Sequence, residues 1–552
     1  MARTSPSPNL FFIKKDDTAD SFCCPFCHYQ AFFHIEFTNT FYGGSMFYKS
    51  KLLRDTAILT IFQLILDSAA LLLNAFITRQ LGAQAIGILS LIGSFLGLAG
   101  ILSNGNAFLC TSRLIAEENG KGGDPDRVLF HGIKLCLCLS TAVSVAVLLL
   151  SEPICRRFFS GADMAAALRI MPVVLVTGAV GACIKGYFNA SRRTRVTAVG
   201  DVIEFAVKSA VITVLTMKLK APDEAAVCRV MISGIVAGNA VSLAFLSVMY
   251  LKLRPRSSGK PSIGFREYAA CAFPIMGGGV LTAVLSSTND ALIPFCLRQY
   301  GDSAGKALGS FGVFEAIVIP TLFFPSVILC SVSGIILSES ARAAASGDKR
   351  RIKSLASRIT EYTLIYAVFS AAVLMRFGAE IGKLLGGGET AGRLITVIAP
   401  VVPFIYMEIV LEAMIKGMGM QSFSSLNYLA EYAVRIAVVL IFVPRLGIYG
   451  IVASYYTSNV FGNCSRFIRL IRTTGTEFRP FRNIAVPVVY AFLSMGAAEL
   501  LMRMFDGGNN KVLFMVIFTA IWGIIYGGIM LFTEKIRLFD KCRETIIVES
   551  AQ

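Results

Sequence analysis

The sequence predicts an all-α, polytopic integral membrane protein, and two observations carry that prediction. The 552 residues are 55% hydrophobic and only 16% charged, whereas soluble domains carry about a quarter charged residues. Apolar runs of about 20 residues, the length that spans a bilayer as a helix, recur along nearly the whole chain. We therefore expect helices that satisfy their own backbone hydrogen bonds within lipid.

The apolar runs predict fourteen transmembrane helices from residue 46 onward. The segments between them are short, which leaves no room for an extramembrane catalytic domain, so we expect a protein that is not an enzyme. The predicted spans are 56–78, 86–110, 129–150, 167–189, 197–217, 227–251, 268–297, 307–338, 356–377, 392–416, 424–443, 448–471, 483–503 and 511–533.

The charge distribution predicts the orientation of the chain. A net charge of +17 would suggest a nucleic-acid partner in a soluble protein, but cytoplasmic loops of membrane proteins collect Lys and Arg. Such residues concentrate at 252–266, 342–358, 466–482 and 535–543, which all fall on one side of the predicted topology. We expect a multi-pass protein of the cell membrane with both termini in the cytoplasm and no nucleic-acid partner.

Residues 1–45 differ from the rest of the chain. Cys24, Cys27 and His28 have the C-x-x-C-H spacing of haem attachment, and Cys with His can also bind zinc. The predicted topology places this segment in the cytoplasm, where c-type haem is not attached, so we expect no metal and no cofactor. We interpret residues 1–45 as a non-native or disordered extension, with the native start at Met46.

An internal repeat divides the membrane region. Residues 184–212 and 415–439 both open on Ile-Lys-Gly and both close on Glu-aromatic-Ala-Val-basic-x-Ala-Val. An Arg-Gln-x-Gly motif also follows the first and the seventh span. The sequence therefore predicts a lobe of spans 1–6 (residues 46–260), a parallel lobe of spans 7–12 (261–475), and an appendage of two helices with a cytoplasmic tail (476–552).

Ionisable groups within the spans are the candidate functional residues, because a charge at membrane depth is costly. Asp67 has no basic residue three or four positions away and shares a helix face with Asn74. We expect Asp67 to couple transport to a cation or a proton. The further candidates are Asn289 and Asp290 in span 7 and Glu315 in span 8.

Two predicted ion pairs occupy equivalent places in the repeat. Glu204 and Lys208 are four residues apart in span 5, as are Glu431 and Arg435 in span 11. Both pairs lie near the start of a span, where an ion pair can reach the membrane interface. We expect them to stabilise the lobes rather than to bind substrate.

Three segments carry a resemblance to a known family. They are IKGYFNASRRTRVTAVGDVIEFAVK at 184–208, LSNGNAFLCTSRLIAEENG at 102–120, and FREYAACAFPIMGGGVLTAVLSSTNDALIP at 265–294. They resemble the multidrug/oligosaccharidyl-lipid/polysaccharide (MOP) flippase superfamily, in its stage V sporulation protein B branch near the lipid II flippases. The resemblance covers about residues 50–535 and implies two six-helix lobes in a V, a central cavity, and a lipid-tail groove lined by the last two helices.

The same resemblance implies a substrate with a pyrophosphate, which basic side chains would bind. Lipid II-type relatives carry arginines in span 1 where this chain has Asp67 and Leu73 or Asn74, and only Arg79 matches. Other basic residues would supply the charge if they face the cavity. They are Lys134, Lys185, Lys208, Lys416 and Arg435.

The leading hypothesis is therefore a flippase for a lipid-linked oligosaccharide or peptidoglycan precursor, acting as a monomer in the bilayer with H⁺ or Na⁺ as coupling ion. The alternative is a proton- or sodium-coupled multidrug antiporter of the MATE type that uses Asp67. A membrane glycan transferase is disfavoured because it normally has a large external catalytic loop, and the predicted loops are short.

Overall fold

A computed structural model describes residues 46–121, 123–158, 168–191, 193–219, 224–254, 263–476, 481–503 and 511–550. Within these ranges every regular element is helical and no β-strand occurs, so the predicted all-α class is confirmed. The predictions for residues 1–45 lie outside the described residues.

The first half of the membrane region, residues 46–254, folds from long apolar helices that are interrupted by glycine. Gly82 and Gly105 have φ values of 85° and 55°, a backbone region that glycine enters without strain. The helical chain is therefore interrupted at Gly82 and at Gly105. The helices are α1 (Met46–Leu81), α2 (Ala83–Asn104), α3 (Ala107–Lys121), α4 (Pro125–Leu149), α5 (Ser151–Phe158), α6 (Met171–Ala190), α7 (Thr194–Lys218) and α8 (Glu224–Leu253).

The second half, residues 263–476, repeats this plan with more broken helices. Pro320, Pro325 and Pro400 lie at or beside π and 3₁₀ segments, because proline removes a helical hydrogen bond. The helices are α9 (Phe265–Tyr300), α10 (Ala304–Val313), a π segment (Phe314–Val318), α11 (Ile319–Phe323), a 3₁₀ turn (Phe324–Ser326), α12 (Val327–Ala345), α13 (Lys349–Leu384), α14 (Gly388–Ile398), a 3₁₀ turn (Ala399–Val401), α15 (Val402–Gly417), α16 (Gln421–Leu446) and α17 (Ile448–Thr474). The C-terminal helices are a π segment (Phe481–Ala485), α18 (Val486–Arg503) and α19 (Lys511–Ser550).

The prediction of fourteen spans is approximate. In the described residues, 12 helices are long and apolar enough to cross a membrane. Predicted spans 5 and 12 correspond to α7 and α17, which are long enough but carry several charged residues, among them Lys208 and Arg466. Span 2 was also placed too short, since its helix resumes after Gly105 and continues as α3 to Lys121.

The apolar core is shared by both halves on one side of the bundle and divided on the other. One cluster joins Ile86 and Leu91 of α2 to Phe311 and Leu322 of the second half. Towards the other ends of the helices the core is split into two clusters: one combines first-half residues with Tyr268 and Ala272 of α9, and the other consists of second-half residues. We call the end of the bundle with the shared cluster, which includes Gly82, the joined side. The opposite end is the divided side.

Small residues bring the two halves into backbone contact at the joined side. A Cβ atom on Gly87 of α2 would lie 2.0 Å from the carbonyl oxygen of Leu308, and one on Gly312 would lie 2.2 Å from the Gly87 nitrogen. Such contacts are typical of close helix packing in membranes. Nearby, the Arg79 guanidinium donates a hydrogen bond to the carbonyl oxygen of Leu384. The joined side is therefore tightly packed.

Candidate functional site

A polar pocket lies inside the second half, between α9, the broken helix around Glu315, and helices α15 to α17. Its cavity of about 60 Å³ has room for on the order of four water-sized molecules. The lining residues are Ser286, Asn289, Asp290, Ile293, Phe314, Glu315, Ile319, Phe323, Glu408, Tyr428, Glu431, Tyr432, Arg435, Ile451, Ser454, Tyr455 and Asn459.

Asp290, Glu315 and Asn289 bring oxygen atoms together at this pocket. Asp290 lies in the C-terminal half of α9, and its Oδ1 accepts a hydrogen bond from Asn289 Nδ2 at 3.2 Å. Glu315 lies in the π segment, a deviation that is frequent at functional sites. Its carboxylate has no hydrogen bond or ion pair with any residue that the structure describes, and the buried Asn289 Oδ1 also has no partner there. These oxygens suit a small cation or a proton.

The oxygen atoms of the pocket are of a kind that binds hard cations. Two carboxylates and one amide oxygen are ligands that such cations prefer. Among the described residues, no group of three or more His, Cys, Asp or Glu side chains is placed to hold a metal ion.

Beside the pocket, one buried arginine holds three carboxylates together. Arg466 is fully buried, and its guanidinium nitrogens lie 3.1 Å from Glu408, 3.1 Å from Glu412 and 3.0 Å from Glu431. Glu412 also accepts a hydrogen bond from the Ser424 hydroxyl. A charge buried to this degree requires such partners, because an isolated one would be strongly destabilising.

Two further cations balance the charge of this cluster. Lys416 lies 3.3 Å from Glu412, and Arg435 lies 3.2 Å from Glu431. The Arg435 guanidinium also lies 5.1 Å from the ring centroid of Tyr432 and 4.9 Å from that of Tyr455. Three cations therefore face three carboxylates. The predicted Glu431–Arg435 pair is present, as part of a larger network.

The predicted Glu204–Lys208 pair is not a direct contact in the structure. In the described residues no ion pair joins these two side chains; Lys185 instead reaches across from the end of α6 to Asp201 at 2.7 Å and Glu204 at 3.1 Å. The Lys208 ammonium lies over the Phe205 ring, 5.2 Å from its centroid. A partner on a neighbouring helix thus replaces the partner four residues along the same helix.

Arg466 was also missed by the sequence analysis, which assigned it to a cytoplasmic segment. Its helix contains Val-Phe-Gly-Asn at 460–463, matching Val-Ala-Gly-Asn at 236–239 in the first half. The glycines pack alike: a Cβ on Gly238 would meet the Glu204 carbonyl oxygen, and one on Gly462 would meet Glu431 Oε2. This further repeated motif was the available signal, because Arg466 lies four residues after Gly462 and therefore on the helix face that packs against Glu431.

The remaining predicted residues lie apart from the pocket. Asp67 on α1 accepts a hydrogen bond from Gln63 Nε2 at 2.8 Å, and it forms no ion pair within the described part of the chain. Lys134 is exposed, with its ammonium 5.1 Å from the ring centroid of Phe265. The structure therefore does not gather all candidates into one site.

Hydrogen bonds between the halves converge near the pocket. The Ser94 hydroxyl on α2 donates to Asp290 Oδ2 at 2.7 Å, and the Ser287 hydroxyl donates to the Ser94 carbonyl oxygen at 2.9 Å. Asn74 Nδ2 on α1 donates to the carbonyl oxygen of Ala316, the residue after Glu315, at 2.9 Å. Side chains of the first half therefore contact the backbone and the carboxylate that border the pocket.

A second cavity is an apolar groove of about 620 Å³, within the size range of ligand-binding clefts. Trp522 forms part of its wall, fixed by hydrogen bonds from its indole nitrogen to the Ala491 carbonyl oxygen and the Ser494 hydroxyl, both at 3.0 Å. The lining residues are Leu364, Val368, Ala371, Ala372, Met375, Arg376, Pro400, Pro403, Phe404, Met407, Leu411, Asn463, Cys464, Phe467, Ile484, Val488, Ala491, Phe492, Met495 and Trp522.

Comparison with known sequences gives one family and two curated relatives. The model of the family "Polysaccharide biosynthesis protein" matches residues 52–336, just over half of the chain. Stage V sporulation protein B of Bacillus subtilis (strain 168) is 21% identical over 428 residues, covering 75% of this chain and 82% of the relative. Sporulation protein YkvU of the same organism is 19% identical over 378 residues, covering 67% and 83%.

Solved structures share the fold. The lipid II flippase MurJ in an inward closed conformation has a TM-score of 0.67 at 14% identity and covers 86% of this chain and 98% of its own. A multidrug resistance MATE family transporter of the MOP superfamily, in an inward-facing conformation, has a TM-score of 0.60 at 15% identity and covers 75% and 96%. At these identities the likeness concerns the fold alone.

Proposed function

Because this chain belongs to the polysaccharide biosynthesis protein family, within the MOP flippase superfamily of membrane transporters, we propose that it moves a lipid-linked oligosaccharide or peptidoglycan precursor across the bacterial cytoplasmic membrane. Transport proceeds by alternating access between two lobes, residues 46–260 and 261–475. Residues 476–552 add the helices that border the groove.

The apolar groove is the observation that carries this proposal. A lipid-linked substrate must keep its hydrocarbon tail in an apolar environment while its polar headgroup passes through the protein. The groove provides such an environment along α13, α15, α17, α18 and α19. An exporter of small cationic compounds has no need for it. The wider coverage of the flippase structure, 86% of this chain against 75% for the MATE structure, also supports the proposal.

The charges within the protein limit which basic residues can bind the headgroup. Lys185, Lys416 and Arg435 already contact carboxylates, so their charge is offset. Lys134 and Arg79 form no ion pair with a carboxylate in the described part of the chain. We propose that Lys134, exposed on the divided side, contacts the phosphates of the substrate, since phosphate binding favours an ammonium that is not neutralised.

The difference between the joined side and the divided side indicates which state of the transport cycle this structure represents. The distribution of Lys and Arg predicts that the divided side faces the cytoplasm. In this state one apolar core joins the lobes towards the outside, whereas towards the cytoplasm the core is split into two clusters and α9 keeps a contact with the first lobe, between the Tyr268 and Thr111 hydroxyls at 2.7 Å. The polar pocket with Asp290 and Glu315 is the proposed site of the coupling ion, H⁺ or Na⁺.

Complementation of a strain depleted of its lipid II flippase tests the proposal. We expect the unmodified chain to restore growth. Ala372→Trp, which fills the groove, should abolish rescue, whereas the matched control Ala497→Trp on an exposed face of α18 should not. Equal expression of both variants is confirmed by immunoblotting. Rescue that persists with a filled groove would overturn the assignment of the lipid tail to the groove.

The second candidate function is a proton- or sodium-coupled multidrug antiporter that uses Asp67. It is favoured by one observation: Asp67 has only Gln63 as its hydrogen-bond partner and no cation in the described part of span 1. Efflux of fluorescent cations from cells expressing the chain, measured for Asp67→Asn beside the unmodified protein, distinguishes the two. Efflux that requires Asp67, together with failure to rescue the depleted strain, would favour the antiporter.

A further inference from the structure

Ser94 attaches the first half of the protein to one turn of α9 by two hydrogen bonds. Its hydroxyl donates to Asp290 Oδ2 at 2.7 Å, and its carbonyl oxygen accepts from the Ser287 hydroxyl at 2.9 Å. Ser287 and Asp290 are three residues apart and lie on the same helix face. We call these three residues the Ser94 clasp.

Asp290, one of the three residues of the Ser94 clasp, also lines the polar pocket. The Asp290 carboxylate lines the pocket together with Glu315 and with Asn289, whose buried Oδ1 has no partner among the described residues. Asp290 is therefore a single side chain that contacts both the opposite half of the protein and the site proposed for the ion. A change in the charge of Asp290 therefore affects both the contact between the halves and the proposed ion site.

We propose that Ser94 is a positioning residue that couples ion occupancy of the pocket to the contact between the two halves. When the pocket holds no cation, the Asp290 carboxylate accepts a charge-assisted hydrogen bond from Ser94. A bound monovalent cation offsets the charge of the carboxylate, and the bond then approaches an ordinary one of about half the strength. The halves then separate more readily on the joined side.

The expected size of the effect follows from the difference between the two kinds of hydrogen bond. Bonds to charged groups contribute more to stability than neutral ones, by an amount equivalent to about a tenfold change in an equilibrium. Loading the pocket should therefore shift the ratio of joined to separated states about tenfold. This inference rests on the proposed function only in treating the pocket as the ion site.

Other ionisable groups share the pocket and are affected by the same ions. The charged ones are Glu315 from the π segment, Glu408 from α15, and Glu431 and Arg435 from α16, and the phenols of Tyr428, Tyr432 and Tyr455 complete the set. The groups already bound in the Arg466 network are held by their partners. Asp290 is the carboxylate of this set that accepts a hydrogen bond from Ser94 of the opposite half, at 2.7 Å.

Disulfide cross-linking across the joined side measures the separation of the halves. A Cβ atom on Gly309 would lie 3.4 Å from the Ala83 Cβ, close to the roughly 3.5–4.5 Å of a disulfide. The full chain carrying Ala83→Cys and Gly309→Cys is oxidised with copper phenanthroline in membranes, in NaCl and in choline chloride of equal ionic strength and the same pH. Single-cysteine variants control for the native cysteines.

Three versions of this chain are compared. With Ser94 intact, we expect the cross-linking rate to fall, by at most about tenfold, when Na⁺ loads the pocket. Ser94→Ala should cross-link slowly under every condition. The matched control Ser90→Ala should behave like the unmodified chain, because the Ser90 hydroxyl bonds to Ile86 of its own helix at 3.0 Å. Hydrogen–deuterium exchange of α2 without added cysteines gives a second readout if the double variant does not fold.

The outcomes separate this inference from the proposed function. An ion response that survives in Ser94→Ala, or is missing from the unmodified chain, overturns the coupling role of Ser94 even if the chain rescues the flippase-depleted strain. A response that depends on Ser94 in a chain that fails to rescue supports the clasp and contradicts the flippase function.

Discussion

Replacement of Arg466 by methionine tests the buried charge network most directly. Arg466→Met keeps much of the side-chain volume but removes all three contacts of 3.0–3.1 Å with Glu408, Glu412 and Glu431. It leaves three carboxylates facing only two cations, Lys416 and Arg435. Because Arg466 is fully buried, water cannot replace the lost partner, and removing one member of such a network costs about 3–5 kcal/mol.

This loss is large enough to measure by thermal unfolding. We expect the apparent Tm of the purified protein in detergent to fall by about 5–10 °C, the lower part of the range that 3–5 kcal/mol gives for smaller domains. The control is Arg472→Met on the same helix, whose side chain is exposed and whose loss should change the Tm by about a degree or less.

A second variant tests whether the lost charge balance is the reason for the expected fall in Tm. Glu408 is the most exposed of the three carboxylates, at 21% against 3% for the other two. Glu408→Gln combined with Arg466→Met restores the balance, so the double variant should be more stable than Arg466→Met alone. An Arg466→Met protein as stable as the unmodified chain, or a double variant less stable than the single one, would refute the reasoning.

Three further predictions concern other parts of the molecule. Gly312→Ala places a Cβ 2.2 Å from the Gly87 nitrogen. This variant should lower both the Tm and the cross-linking of the joined side, at a cost of about 1–3 kcal/mol in stability. The control Gly97→Ala, with open space around it, should change neither. Glu315→Gln should remove the dependence of transport on Na⁺ or on a pH gradient, with little change in Tm, because its carboxylate has no partner among the described residues; unchanged ion dependence argues against the pocket as the coupling site. Lys185→Met removes the cation that contacts two carboxylates of α7. It should lower the free energy of unfolding by about 1–3 kcal/mol, more than Lys208→Met does, as measured by thermal unfolding. A larger loss in Lys208→Met would support the predicted Glu204–Lys208 pair.

Local patterns in the sequence were sufficient for the fold class and for the family. Apolar runs of bilayer length require helices wherever they occur, and the Ile-Lys-Gly repeat reflects a duplicated pair of helices. The Glu431–Arg435 contact was also predictable, because residues four apart meet on one helix face whatever surrounds them. The division into lobes at residues 260 and 475, the monomeric state and the identity of the ion stay predictions.

The tertiary structure decided which charges meet. Arg466 and its three carboxylates come from three different helices, as do Asp290, Glu315 and Ser94, and their distances depend on how each helix is rotated and where it crosses its neighbours. No local period encodes those angles. The same reason explains why Lys185 rather than Lys208 holds Glu204, and why the groove could be expected from the family resemblance while its walls could not be named. The sequence by itself determined a bundle of membrane helices; only their packing determined where the bundle is charged, where it is apolar, and where its two halves contact each other.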